Sequence, residues 1–295
     1  MNMNKAIEPS ELIINENGSI FHLNLLPEDI ADTILLVGDP GRVDLIASFF
    51  DKVEVEKRNR EFITKTGTYQ GKRISVLATG IGTDNIDIVI NELDALVNID
   101  LNTRMVKEEK RSLNFIRIGT SGALQADLPV HSYLLSEKGM GFDGLLNFYA
   151  NREEVSDNAL EDAFMKHTQW SPKLTAPYVV PGSADLIEKL KSEHTTAGVT
   201  ISAPGFYGPQ GRMLRLKTQD TGLNEKITSF AFEGQKITNY EMECSALYGL
   251  SAMLGHHAAT ICLIIANRLR GEFGGDYKPH MKQLVQYVLD KVTNN

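Results

Sequence analysis

Four short segments of the chain combine glycine residues with side chains that can bind an anion or a sugar. They are GDPGR at positions 38–42, TGIG at 79–82, RIGTSG at 117–122 and NYEMEC at 239–244. Glycine lets the backbone approach a ligand closely, and the N–H groups at the start of a helix favour an anion. Arginine adds a planar set of donors that suits phosphate or carboxylate. The two segments that contain arginine therefore point to an anion site.

The arginine segments differ in how strongly they support this interpretation. Arg42 could equally be a surface arginine after an ordinary turn. Arg117 alternates within an apolar strand, where a charge is costly unless it faces a cavity or a partner. TGIG is half of a dinucleotide fingerprint, but Asn85 stands where the third glycine would be. Arg117 is thus the better sequence evidence for an anion or sugar site.

The NYEMEC segment could bind a sugar. Carboxylates such as Glu241 and Glu243 accept well from the vicinal hydroxyls of ribose, and Met242 could line the sugar. If the segment is extended, the two glutamates point the same way; if it is helical, they diverge. Two acids stabilised by the dipole of a helix start are the competing interpretation, and this segment alone favours it.

Strand-like and helix-like stretches alternate around these segments. The pattern predicts strands at Thr33–Val37, Lys72–Ala78, 114–118 and 257–265, and helices at 42–50, 84–97 and 277–292. Residues 102–112 are polar and are predicted to form a solvated loop or a helix extension. This order indicates an α/β sheet covered on both faces, in which ligands bind at the carboxyl ends of strands. With no repeat or linker, we predict one domain over residues 1–295, with 1–19 as an N-terminal extension.

Composition narrows the class of protein. The 295 residues are 42% hydrophobic and carry a net charge of −8, which excludes a disordered chain and argues against nucleic-acid binding. The two cysteines, Cys244 and Cys262, form neither a disulfide framework nor a CxxC metal or redox motif. No basic and apolar leader is present, and the longest apolar stretch, 258–266, is too short to span a bilayer. We therefore expect a cytoplasmic protein without a membrane partner.

Together and in this order, the segments resemble the nucleoside phosphorylase family. Eight elements match in register: FHL at 21–23, GDPGR at 38–42, REF at 60–62, TGIG at 79–82, RIGTSG at 117–122, FYGPQGR at 206–212, NYEMEC at 239–244 and ANR at 266–268. Within the family, the match is closest to the members that cleave uridine. The resemblance implies an α/β domain with a mixed central β-sheet flanked by helices. It also implies a homodimer at least, or a hexamer made of three dimers.

What the resemblance implies chemically is phosphorolysis, in which phosphate attacks ribose C1′, the base leaves and ribose 1-phosphate forms. Phosphate binding is implied for Gly38, Arg42, Arg117 and Thr120, with Arg60 entering from a neighbouring subunit. Ribose binding is implied for Thr120, Glu241, Met242 and Glu243, with His22 of the neighbour on the 5′-hydroxyl. Base binding is implied for Phe206, Gln210 and Arg212. The catalytic roles then fall on Arg117, Gln210, Arg212 and Glu243.

The residue types suit this chemistry. Phosphate is a weak nucleophile, so a site must concentrate and orient it, as arginines and backbone N–H groups do. Uracil leaves with negative charge on its carbonyls from an oxocarbenium-like transition state. Gln210 can both donate to and accept from an N–H/C=O edge, and Arg212 can stabilise the developing charge. No metal or redox cofactor is required, and inorganic phosphate is the co-substrate.

Two positions depart from patterns in the family. Purine-cleaving relatives carry an aspartate where Asn267 stands, and an amide cannot protonate a purine, so a pyrimidine is favoured. Family members can hold a monovalent cation such as K⁺ between subunits near the positions of Glu61, Ile81 and Asn85. Here TGIG is followed by Thr-Asp-Asn where proline and serine are more usual, so K⁺ is only a candidate ligand.

Three other functions stay open. A purine nucleoside phosphorylase is opposed by Gln210, Arg212 and Asn267, and a water-using nucleosidase by the three phosphate-type arginines. A non-catalytic domain that binds nucleoside or NAD would bind its ligand without turnover. The choices between ribose and deoxyribose, and between uridine and thymidine, also stay open.

Overall fold

A mixed sheet of twelve strands forms the centre of the computed structural model, which describes residues 5–294. The strands of the chain are β1 (Thr33–Val37), β2 (Lys52–Asn59), β3 (Phe62–Tyr69), β4 (Lys72–Ala78), β5 (Ile99–Asp100), β6 (Met105–Val106), β7 (Asn114–Ala123), β8 (Tyr133–Gly141), β9 (Tyr178–Pro181), β10 (Thr195–Ser202), β11 (Ala231–Phe232), β12 (Gln235–Glu241), β13 (His257–Asn267) and β14 (Glu272–Phe273). The α-helices are α1 (Pro40–Ala47), α2 (Thr83–Asn98), α3 (Asn158–Thr168), α4 (Ala184–Leu190), α5 (Leu223–Ser229), α6 (Cys244–Leu254) and α7 (Lys278–Thr293).

The sheet contains both parallel and antiparallel pairs. Ten of its strands follow the order β11-β12-β10-β8-β13-β7-β1-β4-β3-β2. The other two are β9, which pairs with β8, and β14, which pairs with β13, and β12 also pairs with β7. That extra antiparallel pair closes β12, β10, β8, β13 and β7 into a ring, while β2 and β3 extend the open edge. The predicted α/β class with a mixed central sheet flanked by helices is confirmed.

Helices cover both faces of the sheet, as the sequence predicts. Alternate residues of β1 enter different apolar clusters, because successive side chains of a strand point to opposite faces. Ile34 and Leu36 pack in the cluster that contains α2 and α6. Leu35 and Val37 pack in the cluster that contains α1 and α7. This double cover fixes the end of β1, where the chain turns into α1.

Strand β7 is longer than predicted. The sequence prediction ends it at residue 118, but the strand continues to Ala123. It continues because β13 pairs with it along its whole length and β12 pairs with its last residues. Position 119 requires a glycine because neighbouring side chains leave no room for a larger residue. A Cβ there would lie 2.0 Å from Nη1 of Arg117 and 2.8 Å from Sγ of Cys262.

The polar segment 102–112 is mostly exposed, but part of it is a strand. Met105–Val106 pairs with Ile99–Asp100, so the prediction of a loop or helix extension is wrong there. The reason is that α2 ends at Asn98 and the chain reverses at once. The Arg104 carbonyl accepts a hydrogen bond from the backbone N–H of Ile7 (2.9 Å). The hairpin thus holds the N-terminal segment.

Among the described helices, none has the length and apolarity that crossing a membrane requires.

Candidate active site

A cavity of about 710 Å³ lies where β1 ends and α1 begins. Most of the predicted site residues line it: Gly38, Arg42, Ile81, Arg117, Thr120, Phe206, Gln210, Arg212, Glu241, Met242 and Glu243. Four do not, namely His22, Arg60, Glu61 and Asn85. The structure therefore brings the separate sequence segments together around one space.

One part of the cavity is suited to an anion. Arg42 is buried in the first turn of α1, and its Nη1 donates to the carbonyl of Ile118 (3.0 Å). Within residues 5–294, no carboxylate forms an ion pair with it. Burial lowers the pKa of Arg42, and the charge of Arg117 lowers it further. A cation at the positive end of a helix and beside a second cation is stabilised by a bound anion.

Arg117 is a buried cation with two carboxylate neighbours. Its Nη2 donates to Oε2 of Glu243, and its Nη1 lies 3.6 Å from Oε2 of Glu241. Burial disfavours the charge, but Glu243 and then Glu241 outweigh it and raise the pKa of Arg117. Its Nε is buried and has no hydrogen-bond partner among residues 5–294. Burial raises the pKa of nearby Cys262 to about 12, which keeps it a neutral thiol.

The two glutamates of NYEMEC have different surroundings. Glu241 accepts from Oγ of Ser202 (2.5 Å) and from the backbone N–H groups of Glu243 (2.8 Å) and Cys244 (2.9 Å). Burial raises the pKa of Glu241. Within the described part of the chain, Glu243 accepts from one backbone group, the N–H of Gly82 (2.8 Å), besides its bond to Arg117. Glu241 therefore anchors the start of α6, and Glu243 is the carboxylate more available to a sugar.

The TGIG segment positions Glu243. Gly82 precedes α2 with φ +101°, a conformation that favours glycine, and this conformation directs its N–H at the carboxylate. Gly80 also has a positive φ of 72°, and its carbonyl lies 3.2 Å from where a Cβ of Gly38 would be. The segment thus joins the GDPGR and NYEMEC segments and does not form a dinucleotide loop.

In another part of the cavity, Arg212 and Gln210 present their planar guanidinium and amide groups. Arg212 stacks on Phe206, with its Cζ 3.8 Å from the ring centroid, and its Nη1 donates to the Phe206 carbonyl (2.6 Å) and to Oε1 of Gln210. Arg268 donates to the Gln210 carbonyl. Burial lowers the pKa of Arg212, and the charge of Arg268 adds to this effect. Because Oε1 of Gln210 accepts from Arg212, its Nε2 is oriented as a donor.

His22 and Arg60 lie together outside the cavity. The Cζ of Arg60 is 5.8 Å from the ring centroid of Phe21, and Nδ2 of Asn59 donates to the carbonyl of His22 (2.8 Å).

The residues predicted near a monovalent cation partly converge. A Cβ on Gly80 would lie 2.5 Å from Nδ2 of Asn85 and 3.4 Å from Cγ of Glu61, so both side chains meet there. Ile81 is exposed and lines the cavity. Residues 5–294 contain no group of three or more His, Cys, Asp or Glu side chains that could hold a metal ion.

Several residues of the cavity wall could not be predicted from the sequence. Tyr240 and Ala266 belong to matched segments but received no role, whereas Phe273 and Tyr277 carry no sequence signal. Those two come from β14 and from the turn before α7, which pairing with β13 brings to the cavity. Asn267 is absent from the wall, because its Nδ2 donates to the carbonyls of Gln125 (2.9 Å) and Leu128 (2.7 Å).

Known proteins resemble this chain over most of its length. A uridine phosphorylase of Thermococcus kodakarensis is 31% identical over 265 residues, which cover 88% of this chain and 81% of that protein. A purine nucleoside phosphorylase of the DeoD type from Bacillus subtilis is 28% identical, with coverage of 85% and 88%. A Trypanosoma brucei nucleoside phosphorylase with uridine phosphorylase activity superposes with a TM-score of 0.85 at 27% identity, covering 95% of this chain and 98% of that one.

The family assignment rests on a match that includes every segment of the cavity wall. The model described as the phosphorylase superfamily matches residues 32–292. This range begins just before β1 and ends within α7, so it contains the whole central sheet. The resemblance to the nucleoside phosphorylases is confirmed, and the chain belongs to the phosphorylase superfamily.

Proposed function

We propose that the protein is a pentosyltransferase that converts uridine and inorganic phosphate to uracil and ribose 1-phosphate. The observation that carries the proposal is a single cavity lined both by the buried arginines Arg42 and Arg117 and by the Gln210–Arg212 pair. Two of the relatives named above have uridine phosphorylase activity in their names or descriptions, which supports the same substrate.

Phosphate binds between the arginines in this mechanism. Arg42, Arg117, the hydroxyl of Thr120 and the backbone at Gly38 supply donors, and the start of α1 adds its positive dipole. Held in this way, a phosphate oxygen attacks ribose C1′ and forms the new C–O bond. The C1′–N1 bond breaks, and its electron pair leaves with uracil.

Ribose binds through Glu243 and Met242. The carboxylate of Glu243 accepts from the ribose hydroxyls, while Gly82 holds its other oxygen. Glu243 also forms an ion pair with Arg117, and in this proposal each ligand takes over one side of that pair. Nucleoside and phosphate should therefore assist each other's binding.

Gln210 and Arg212 receive the leaving base. The stacked guanidinium of Arg212 and the oriented Nε2 of Gln210 present donors to the carbonyls of uracil. Negative charge develops on those carbonyls as the bond to ribose breaks, and preorganised donors stabilise it without reorganising. Phe206 holds the guanidinium of Arg212 in place through its ring and its carbonyl.

The active enzyme is a homodimer, or a hexamer of three dimers, in this proposal. His22 and Arg60 lie on one surface outside their own cavity, which supports their contribution to the cavity of a second subunit.

In this proposal K⁺ binds through oxygen atoms of Glu61, Ile81 and Asn85, where the cation neutralises the Glu61 carboxylate. Thermal unfolding in K⁺ and in tetramethylammonium buffers tests this cation site.

Mixed subunits should recover activity if the site is shared. We expect Arg60→Ala and Arg117→Ala homodimers to be nearly inactive, because each site lacks one arginine. After co-refolding, half of the dimers are mixed, and one of their two sites has both arginines. About one quarter of the wild-type activity should then return.

A matched pair of variants controls for this experiment. Arg42 and Arg117 line the cavity of the same subunit, so a mixture of Arg42→Ala with Arg117→Ala leaves no intact site. Equal recovery in both mixtures, or no recovery in the first, would count against a shared site.

One assay tests the proposed reaction against its rivals. Uridine, thymidine, inosine and adenosine are incubated with and without phosphate, and base release is followed. We expect phosphate-dependent release of uracil. Release without phosphate would indicate a nucleosidase, release from inosine or adenosine a purine enzyme, and tight binding without release a non-catalytic protein.

A further inference from the structure

The side chain of Glu92 accepts hydrogen bonds from residues His22 and Leu23. It lies on α2 and accepts from Nδ1 of His22 (2.6 Å), from the backbone N–H of His22 (3.0 Å) and from the backbone N–H of Leu23 (2.9 Å). Its side chain is only 13% exposed. Nothing in the mechanism above uses this glutamate.

The contact with Glu92 determines which nitrogen of a neutral His22 carries the proton. A carboxylate can only accept, so Nδ1 must donate and Nε2 keeps its lone pair. Nε2 has no hydrogen-bond partner among residues 5–294, and the ring is 28% exposed. Asn59 holds the carbonyl of the same residue, so the backbone and the ring are fixed together. His22 therefore presents one oriented nitrogen to the outside of its subunit.

A second carboxylate–histidine pair on the same helix shows what a purely structural contact looks like. Asp94 lies 3.1 Å from Nε2 of His256, whose Nδ1 accepts from the backbone N–H of Leu113 (3.1 Å). Both ring nitrogens of His256 are used, and its side chain is fully buried. His22 differs because one nitrogen is left without a partner at the surface.

We propose that Glu92 is a positioning residue that holds His22 so that Nε2 accepts from the ribose 5′-hydroxyl bound in the partner subunit's cavity. This inference rests on the proposed function, because it takes His22 to act in a neighbouring site. Glu92 touches no substrate itself. It acts by fixing the tautomer and the direction of the imidazole, as carboxylates do for histidines that must present one nitrogen.

The test compares uridine with 5′-deoxyuridine, which lacks only the hydroxyl that His22 would contact. We expect the wild-type protein to prefer uridine by about tenfold in kcat/KM, the size of one hydrogen bond. Glu92→Gln should reduce that preference to about twofold, because an amide has one acceptor oxygen where the carboxylate has two. If the backbone N–H groups take that oxygen, the NH₂ group faces Nδ1, which must then accept, and Nε2 loses its lone pair to a proton. Turnover of 5′-deoxyuridine should stay close to wild type. A merely structural Glu92 would instead slow both substrates equally.

Asp94→Asn is the matched control, since it changes the same kind of pair on the same helix. We expect it to keep the tenfold preference. His22→Ala should abolish the preference, and adding Glu92→Gln to it should have no further effect. If Glu92→Gln does not assemble, Glu92→Asp gives the same comparison with the charge kept but withdrawn by one methylene.

The outcomes separate the two proposals. A collapsed preference in His22→Ala with a normal preference in Glu92→Gln overturns the role of Glu92 and leaves the shared site intact. No preference in the wild-type protein overturns the role of Glu92 and the contact of His22 with the 5′-hydroxyl, while the mixing of Arg60 and Arg117 variants still tests the shared site. Phosphorolysis of uridine itself is measured in the same assay and stands or falls separately.

Discussion

Uridine should be cleaved at least about a thousandfold better than cytidine or any purine nucleoside, measured as kcat/KM. The reason is the Gln210–Arg212 pair, which is preorganised before any base binds. Arg212 is held by Phe206 on one side and by Gln210 on the other, so its donors have a fixed direction. Cytidine places an amino group where uridine has O4, so donor would face donor. A buried polar group left unpaired costs free energy that no other contact restores.

Arg212→Leu tests the origin of this preference. We expect the uridine rate to fall by about a hundredfold and the gap to cytidine to narrow, because one preorganised donor is lost. Arg215→Leu is the control, since Arg215 is an exposed arginine of the same loop that does not line the cavity. Wild-type protein that cleaves inosine as well as uridine would contradict the pyrimidine assignment.

Arg117→Ala should lower turnover by about a hundredfold or more, even at saturating phosphate. Arg117 lines the cavity together with Arg42 and donates to Glu243, so its loss affects both phosphate and ribose. Near-normal turnover at saturating phosphate would refute the role of Arg117.

The structure adds a stability cost that the sequence did not predict. From the sequence alone we expect Arg117→Ala to leave the fold intact. However, the change leaves Glu241 and Glu243 buried without their counter-charge, and breaking such a buried pair costs about 3–5 kcal/mol of unfolding free energy. Arg117→Lys is the useful companion, because it keeps the charge but loses the planar donors. If Arg117→Lys is stable and still slow, the loss of rate is chemical. Both rates and thermal unfolding should be measured.

Local sequence signals were sufficient for the parts of the fold with local causes. Thr33–Val37 and Lys72–Ala78 form strands with the predicted bounds, because short apolar runs end at glycine-containing turns. The helix predicted at 84–97 forms within one residue of those bounds. Arg117 could be singled out because a charge in a buried strand requires a partner.

The order of short motifs was sufficient to identify the family. Each motif is brief, but a chain that preserves all of them in register has the same strands and turns in the same order. The mixed sheet followed from that resemblance, since the antiparallel strands β2 and β3 and the ring closed by β12 carried no separate signal.

Only the tertiary structure shows what holds each glutamate and what the glycines do. The residue types of Glu241 and Glu243 are the same, but Ser202 and the start of α6 hold Glu241, while Gly82 and Arg117 hold Glu243. Gly119 looks like a turn residue, yet it lies within β7 under the Arg117 side chain. Phe273 and Tyr277 reach the cavity through the pairing of β14 with β13. Such contacts join residues far apart in the chain, so their energies depend on strand pairing and burial that no local pattern encodes.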